Sequence, residues 1–317
     1  MKKLIITVGP SILQNTLLVE IHNENYIYRI NGAHGTVEDI SQYVAEIRSQ
    51  LPQADILLDL PGNKIRTANL DEPIELRKGQ RFRLLNHHLN FQDYYKYFKP
   101  GDIVLADDST LKFRVESVSE KEMSFSSQSE GQLRTNKGLH ASGIHQNIPF
   151  LFEKDKELIQ LANRLKLSYL GLSFVRNVED INLAAGLISP EITIISKIET
   201  RAAIDNLNDI LQSVEYILVD RGDLSTDIGL ARIPAYQRFI VEKANFFNKR
   251  VFLSTQFLKN MEEKPVPTIA EVIDLYNTFK MGVYGIQLSE ETSIGKYPRE
   301  CLDIVNMVLV QIESETR

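Results

Sequence analysis

Two acidic residues and one lysine stand at positions that suit metal-dependent chemistry on a phosphate or a carboxylate. Lys197 and Glu199 lie two residues apart at the end of an apolar run, so in an extended segment both side chains point to the same side. Asp223 follows the next apolar run. Two carboxylates on neighbouring strands suit one hard divalent cation such as Mg²⁺. A lysine beside that cation could stabilise an enolate, form a Schiff base or neutralise the carboxylates, and the residues alone leave these roles open.

Polar residues follow most of the other apolar runs as well. They are Arg29, Asn31, Asp59, Lys64, Arg66, Ser173, Arg176, Asp220, Thr255 and Glu290. Lysine and arginine at strand ends indicate recognition of phosphate or carboxylate groups. A structural ring of salt bridges is the alternative, but so many charges in one place are costly unless a ligand uses them.

Eight short apolar runs must position these residues. They begin at Leu4, Tyr26, Asp55, Tyr169, Thr193, Tyr216, Val251 and Tyr284. Continuous apolar character is typical of parallel strands buried on both faces, and segments with helical spacing separate most of the runs. This order predicts an α/β fold, a (β/α)₈ TIM barrel whose active site lies at the carboxyl ends of its strands. An open doubly wound sheet is the alternative, but no glycine fingerprint follows the first strand.

One connection breaks the alternation of strand and helix. Residues 68–147 show alternating, strand-like patterns with little helical periodicity. We predict a small all-β domain there, resembling a β-barrel and inserted after the third strand as a lid over the catalytic face. Residues 1–67 and 148–317 would then form the catalytic barrel, about 237 residues against the ~250 typical of the fold.

Composition narrows the class of protein. The 317 residues carry a net charge of −6, which disfavours a protein that coats nucleic acid. No apolar run reaches the ~18 residues that span a bilayer. The single Cys301 excludes an intramolecular disulfide framework and favours a reducing compartment. We therefore expect a cytoplasmic protein that acts on small molecules and binds neither nucleic acid nor membrane.

Ten segments of the chain occur in a family-specific order. They are IITVGPS, YRINGAHG, LLDLPGNKIRT, NKGLHASG, FEKDKELI, SFVRNVEDI, ISKIET, LVDRGDLSTDIG, STQFLKNMEEKPVPTIAEV and LSEETSIGKYP. In this order they resemble the pyruvate kinase family, from the first strand to the last helix. The resemblance implies a phosphotransferase that moves a phosphoryl group between phosphoenolpyruvate and ADP, giving pyruvate and ATP, with Mg²⁺ or Mn²⁺. It covers the barrel and the lid without the family's C-terminal effector domain, so we expect no allosteric control through that domain.

The resemblance also implies roles for residues around the reacting groups. Arg29 and Lys197 match the cations that contact the phosphoryl group, and Glu199 and Asp223 match the metal ligands. Gly222, together with Asp223, matches backbone donors to the substrate carboxylate. Thr255 matches a hydroxyl near the enolate carbon that takes part in proton delivery. The substrate-binding set is therefore Arg29, Lys197, Gly222, Asp223 and Thr255.

Further positions match the nucleotide and monovalent-cation sites of the family. Asn31, His34, Arg66 and Lys137 match nucleotide contacts, with Lys137 contributed by the lid. The monovalent-cation site, or its replacement, comprises Asn31, Asp59, Leu60 and Lys64. Lys64 stands where many members have a glutamate, and Ala33 where many have a serine. Because an ammonium can take the charge position of a missing ion, we expect no potassium requirement.

Other departures from the family pattern bear on activity. Asp220 replaces an alanine, and Glu290 a glycine or alanine, and both are expected to add negative charge near the metal site. Ile269 replaces an arginine at a subunit contact of the family, and Ser109 replaces a lid glycine. A homodimer through barrel helices is a separate expectation. Two alternatives stay open: a catalytically weakened homologue that binds and regulates, and a metal-enolate lyase on a related keto acid. The match of Arg66 and Lys137 to nucleotide contacts argues against the lyase, because a lyase does not need to bind a nucleotide.

Overall fold

The apolar runs form the strands of a closed parallel barrel in the computed structural model, which describes residues 2–13, 17–107, 110–141, 144 and 147–315. Ser109 lies outside the described residues. The strands are β1 (Lys3–Thr7), β2 (Tyr26–Asn31), β3 (Asp55–Asp59), β4 (Ile74–Leu76), β5 (Arg81–Leu85), β6 (Ile103–Ala106), β7 (Leu111–Val118), β8 (Glu122–Ser127), β9 (Gly131–Leu133), β10 (Leu139–Ala141), β11 (Tyr169–Leu172), β12 (Thr193–Ile198), β13 (Tyr216–Asp220), β14 (Arg250–Ser254) and β15 (Gly285–Leu288).

Eight of these strands, in the order β1-β15-β14-β13-β12-β11-β3-β2, close the barrel and confirm the predicted TIM-barrel fold. Closure brings the first and last strands together, with Lys3 paired to Gly285. A side chain on residue 285 would place its Cβ 2.0 Å from the carbonyl oxygen of Lys3, so the close approach of β1 and β15 requires glycine there. Buried apolar side chains such as Ile5, Leu57 and Phe252 fill the barrel interior.

Helices surround the barrel and alternate with its strands. They are α1 (Pro10–Leu13), α2 (Leu17–Glu20), α3 (Val37–Gln50), α4 (Glu153–Leu165), α5 (Val178–Ala185), α6 (Arg201–Asp205), α7 (Leu207–Ser213), α8 (Arg221–Ile228), α9 (Ile233–Phe246), α10 (Ile269–Lys280), α11 (Glu290–Ser293) and α12 (Pro298–Glu315). Thr36 followed by Glu38 and Asp39 predicts a helix start, and Thr36 does cap α3 through a reciprocal capping box with Asp39. The helical spacing of residues 201–211 predicts one helix, and this prediction is wrong, because the chain breaks at Asn206 between α6 and α7. None of the helices described is both long and apolar enough to cross a membrane.

The strands between β3 and β11 form a separate antiparallel arrangement. A five-stranded sheet has the order β10-β6-β7-β8-β5, and β4 pairs with β9. Phe82, Phe113 and Phe125 pack together in its core with ring centroids 5.0 to 5.9 Å apart. The β insertion after the third barrel strand is therefore confirmed, whereas the domain limits at 67/68 and 147/148 stay a prediction. Bridges at its root pair Arg66 with Gly138 and Thr67 with Leu89.

Candidate active site

The carboxyl ends of neighbouring barrel strands bring the predicted polar residues to one mouth. Going around the barrel from β2 to β14, the chain presents Arg29, Asp59, Ser173, Lys197, Asp220 and Thr255. The strands extend further than the apolar runs suggest, so Arg29 and Lys197 lie within β2 and β12 and not beyond them. Because the strand backbone is fixed by pairing on both sides, these two side chains have rigid anchor points.

A buried carboxylate, Asp59 at the end of β3, holds the two candidate phosphate-binding cations. Its Oδ2 accepts hydrogen bonds from Arg29 Nε at 2.8 Å and from Lys197 Nζ at 3.2 Å. Arg29 Nη1 donates to Thr7 Oγ1 at 2.9 Å. Burial opposes the charged form of Asp59, but the charges of Lys197 and Arg29 outweigh it and lower the pKa of that carboxyl. Asp59 is therefore a permanent anion.

Lys197 lies at the centre of the site, and its ammonium is close to polar residues at the carboxyl ends of β3, β11, β12 and β13. Besides Asp59, it lies 3.2 Å from Ser173 Oγ, 2.8 Å from Glu199 Oε1 and 3.8 Å from Asp220 Oδ2. Burial disfavours the ammonium, yet the charges of Asp59, Glu199 and Asp220 raise the pKa of Lys197 above its usual range. The lysine therefore stays charged, which does not suit a Schiff-base nucleophile and suits an anion-binding group.

Three carboxylates converge beside this lysine. Oxygens of Glu199, Asp220 and Asp223 all lie within 4.8 Å of one another. Glu199 Oε2 accepts from the backbone N–H of Phe174 at 2.7 Å, whereas the buried Oε1 accepts no well-directed hydrogen bond despite the nearby lysine. Burial, together with the charges of Asp223 and Asp220, raises the pKa of Glu199 to about 7. Such a cluster has unsatisfied negative charge, which is the property that a divalent cation requires.

Lys64 reaches Asp223 and not the residues with which the sequence grouped it. Its ammonium forms an ion pair with Asp223 Oδ1. Burial opposes ionisation of Asp223, but this contact and the charges of Lys197 and Arg66 lower the pKa of the carboxyl. Leu60 is buried in the hydrophobic core. Asn31 and Asp59 are paired in register on β2 and β3, and the grouping of these two residues with Leu60 and Lys64 stays a prediction.

Thr255 is held in an unusual backbone conformation at the end of β14. Its φ of +80° lies in the left-handed region, which is costly for a β-branched residue. Arg221 donates to the carbonyl oxygen of Thr255 and forms an ion pair with Asp274 at 2.7 Å. The Thr255 hydroxyl donates to Asp220 Oδ1 at 2.7 Å. In this backbone conformation the hydroxyl of Thr255 lies beside the carboxylate cluster.

The candidate nucleotide residues are spread over a wider region. Asn31 and His34 line a cavity of about 720 Å³ together with Glu290. Burial and the charges of Arg66 and Arg29 lower the pKa of His34. The charge of Arg66 therefore lowers the pKa of both His34 and the Asp223 carboxyl. The ammonium of Lys137 instead pairs with Asp107 within the β insertion, at 2.5 Å.

The structure adds Thr7 to the polar residues predicted at the barrel mouth and separates some of the others from the carboxylate cluster. Thr7, at the end of β1, contacts Arg29, and its position as the last residue of the first apolar run was the signal that could have found it. Asp220 joins the carboxylate cluster, as the expected added charge near the metal site, whereas Glu290 lines the cavity beside His34. Arg176 turns away from the cluster to pair with Asp180 at 2.6 Å on α5.

Comparison with known proteins decides the family. The sequence model of the pyruvate kinase barrel domain matches residues 1–302. The chain belongs to the pyruvate kinase family. It is 31% identical to the pyruvate kinase of Thermotoga maritima over 332 residues, which cover 99% of this chain and 71% of that relative. The pyruvate kinases of Borreliella burgdorferi and Thermococcus litoralis are 29% and 31% identical, covering 99% and 96% of this chain and 69% and 68% of those proteins.

Replacing the buried Asp59 tests how much its ion pairs with Arg29 and Lys197 contribute to the stability of the protein. Asp59→Asn leaves Arg29 and Lys197 without their shared counter-charge in a buried setting, so we expect the free energy of unfolding to fall by about 3 kcal/mol or more. Asp93→Asn removes a solvent-exposed partner of Lys96 and is the control, with an expected loss below about 0.5 kcal/mol. Urea denaturation followed by circular dichroism measures both. Equal losses in the two variants would contradict the organising role of Asp59.

Proposed function

We propose that this protein transfers a phosphoryl group between phosphoenolpyruvate and ADP, giving pyruvate and ATP, with Mg²⁺ or Mn²⁺ held by Glu199 and Asp223. One observation carries the proposal. A charged, buried lysine lies between an arginine–aspartate pair on one side and a carboxylate cluster on the other, at the carboxyl end of a TIM barrel. This arrangement supports the proposal because fixed positive charge and a group of carboxylates that could hold a divalent cation lie within reach of one small ligand.

The charges of the site fit a divalent cation. Four carboxylates outnumber the three cations that lie within ion-pair distance of them; the carboxylates are Asp59, Glu199, Asp220 and Asp223, and the cations are Arg29, Lys64 and Lys197. Carboxylate oxygens are the ligands that Mg²⁺ prefers. When bound, the cation would neutralise charge on the phosphoryl group and on the enolate oxygen.

The chain's own residues would perform the remaining steps. Arg29 and Lys197 hold the phosphoryl oxygens while the bond from phosphorus to the enol oxygen breaks and the bond to the ADP oxygen forms. The enolate left behind takes one proton at its methylene carbon to become pyruvate, and we propose the Thr255 hydroxyl for that delivery. Backbone N–H groups of Gly222 and Asp223, in the first turn of α8, would hold the substrate carboxylate.

We assign nucleotide binding to the cavity beside β2. Its volume of about 720 Å³ is in the range of small-molecule sites, and Asn31 and His34 line it. The charge of Arg66 acts on His34 in this cavity and on Asp223 in the carboxylate cluster, and we include Arg66 among the nucleotide contacts. Lys137 would contribute from the β insertion after leaving Asp107, so the insertion would act as a lid.

A catalytically weakened homologue is the second candidate, and a specific observation favours it. Arg29, Lys64, Lys137 and Lys197 are each paired with a carboxylate of the chain itself. An anionic substrate must compete with these contacts. A coupled assay of pyruvate formation from phosphoenolpyruvate and ADP, with and without Mg²⁺, separates the two candidates, since the weakened homologue would bind ligands with little turnover.

The metal assignment has a direct test with a matched control. Glu199→Gln and Asp223→Asn should each lower turnover and Mn²⁺ affinity at least about tenfold, because each removes a charged ligand. Glu290→Gln removes the same charge from the cavity and should change Mn²⁺ affinity less than about threefold. Electron paramagnetic resonance of free Mn²⁺ gives the affinities. Unchanged binding in both cluster variants would overturn the assignment.

The potassium assignment rests on the charge of Lys64. Exchanging potassium for tetramethylammonium should change turnover by less than about twofold, since an ammonium already stands by the cluster. Lys64→Glu should create a potassium requirement, although Ala33 leaves few ligands for the new ion. Lys99→Glu makes the same charge change at an exposed position and should create none. A strict potassium requirement of the unmodified protein would refute the assignment.

Lys197 tests the phosphoryl-transfer step separately from the enolate chemistry. Lys197→Met removes a fixed charge that acts mainly in the transition state, so turnover should fall roughly 10²–10³-fold. Glu199 and Asp223 remain, so proton exchange at the methyl group of bound pyruvate should persist, as NMR in deuterated water would show. Lys156→Met, on the surface, is the folding control. Joint loss of exchange and transfer in a folded variant that binds Mn²⁺ would favour the lyase alternative.

A further inference from the structure

Asp220 collects the hydrogen-bond donors at the edge of the carboxylate cluster. It is the last residue of β13 and caps α8, and its Oδ1 accepts from the backbone N–H of Gly222 at 3.1 Å. The same oxygen accepts from the Thr255 hydroxyl at 2.7 Å. Its Oδ2 faces Lys197 Nζ at 3.8 Å. A helix N–H, a hydroxyl and an ammonium, from three different strands or their ends, therefore converge on one carboxylate.

These donors are the kind that binds a small external anion. The first turn of α8 presents N–H groups with the positive end of the helix dipole, and the ammonium of Lys197 adds a full charge. Thr255 keeps its hydroxyl in place through a strained backbone conformation. The donor set is already satisfied by a carboxylate that is covalently attached to the chain, which gives it a high effective concentration at this point.

A role of Asp220 as a third metal ligand is the competing explanation, because one of its oxygens lies within 4.8 Å of oxygens of Glu199 and Asp223. Its hydrogen bonds limit this role to one oxygen. Oδ1 already accepts two hydrogen bonds, which leaves Oδ2, 3.8 Å from the Lys197 ammonium, as the oxygen that a cation could approach. The two explanations predict opposite effects of removing the carboxylate, since a metal ligand strengthens ligand binding and a competitor weakens it.

We propose that Asp220 is an internal competitor that occupies the place of the substrate carboxylate, and so selects against carboxylate-bearing ligands at this site. The proposal rests on the proposed function for the identity of the probe. An incoming carboxylate must displace Asp220 from Gly222 and Thr255, while a ligand with an apolar group at that position displaces nothing. Asp220 therefore sets how strongly the site distinguishes the two kinds of enol phosphate.

The test compares two ligands that differ at one group. Phosphoenolpyruvate carries a carboxylate where isopropenyl phosphate carries a methyl group. Isothermal titration calorimetry with Mg²⁺ gives both dissociation constants for each protein. In Asp220→Ala, affinity for phosphoenolpyruvate should rise about 10- to 100-fold, because freed donors then bind its charged group, and affinity for isopropenyl phosphate should change less than about threefold.

Two further variants keep the test decisive. Glu290→Ala removes a carboxylate from the neighbouring cavity without freeing these donors, so the ratio of the two dissociation constants should stay as it is in the unmodified protein. Asp220→Asn keeps the helix cap but removes the charge, and it serves if the alanine variant does not fold. A carboxylate-specific gain of about threefold or more in that variant supports the proposal, and no gain overturns it.

The outcomes separate this inference from the proposed function. A shift of the ratio in a protein that forms no pyruvate supports the inference and overturns the function. Pyruvate formation with an unchanged ratio of the two dissociation constants supports the function and overturns the inference. A fall of about tenfold in Mn²⁺ affinity with an unchanged ratio makes Asp220 a metal ligand and overturns the inference. Failure of a folded Asp220→Ala variant to bind either ligand overturns the inference alone, because the pyruvate assay of the unmodified protein tests the function.

Discussion

The ion pairs of Asp59 with Arg29 and Lys197 are the interaction on which the site depends. A single buried oxygen, on a residue with 3% exposure, joins cations from β2 and β12, two strands that are not neighbours. Gly171 on β11 makes room for it, since a Cβ there would lie 2.6 Å from Asp59 Oδ1. Burying such charges costs free energy, so the main effect of these ion pairs is to fix the positions of Arg29 and Lys197.

The second constraint is the excess of negative charge beside this pair. Glu199 shares Lys197 with Asp59 and Asp220, and its pKa of about 7 shows how incompletely one ammonium compensates the buried carboxyls. A divalent cation would relieve this excess, which is the physical basis for assigning the cluster to metal binding. Within the same cluster, Asp220 Oδ1 accepts hydrogen bonds from the Gly222 N–H and the Thr255 hydroxyl, whereas the buried Glu199 Oε1 accepts none that is well directed.

The β insertion is coupled to the site through a few specific contacts. Lys64 runs along the root of the insertion, where a Cβ on Gly138 would lie 2.3 Å from its Cε, before its ammonium reaches Asp223. Asn136 contacts the His34 ring at 3.1 Å, and His140 lies 3.7 Å from Asp227 on α8. A movement of the insertion would therefore change the surroundings of both the carboxylates and the cavity.

Much of the fold follows from the chain alone. Runs such as Asp55–Asp59 and Tyr216–Asp220 are apolar enough to need burial on both faces, and this predicts the parallel barrel. Parallel strands end at one edge, so the convergence of Arg29, Lys197 and Thr255 could also be predicted. The break at Asn206 could not, because residues on both sides of it have helical spacing.

Only the tertiary structure decided which charge pairs with which. Lys64 and Asp59 are five residues apart in sequence, yet Lys64 pairs with Asp223 and Asp59 with Lys197. The path of the loop after β3 sets this choice, and a loop has no periodicity from which its path can be read. Likewise, the sequence shows Asp220 as an added charge. Its hydrogen bonds with the Gly222 N–H and the Thr255 hydroxyl, however, depend on the pairing of β13 with β14 and on the strained backbone of Thr255.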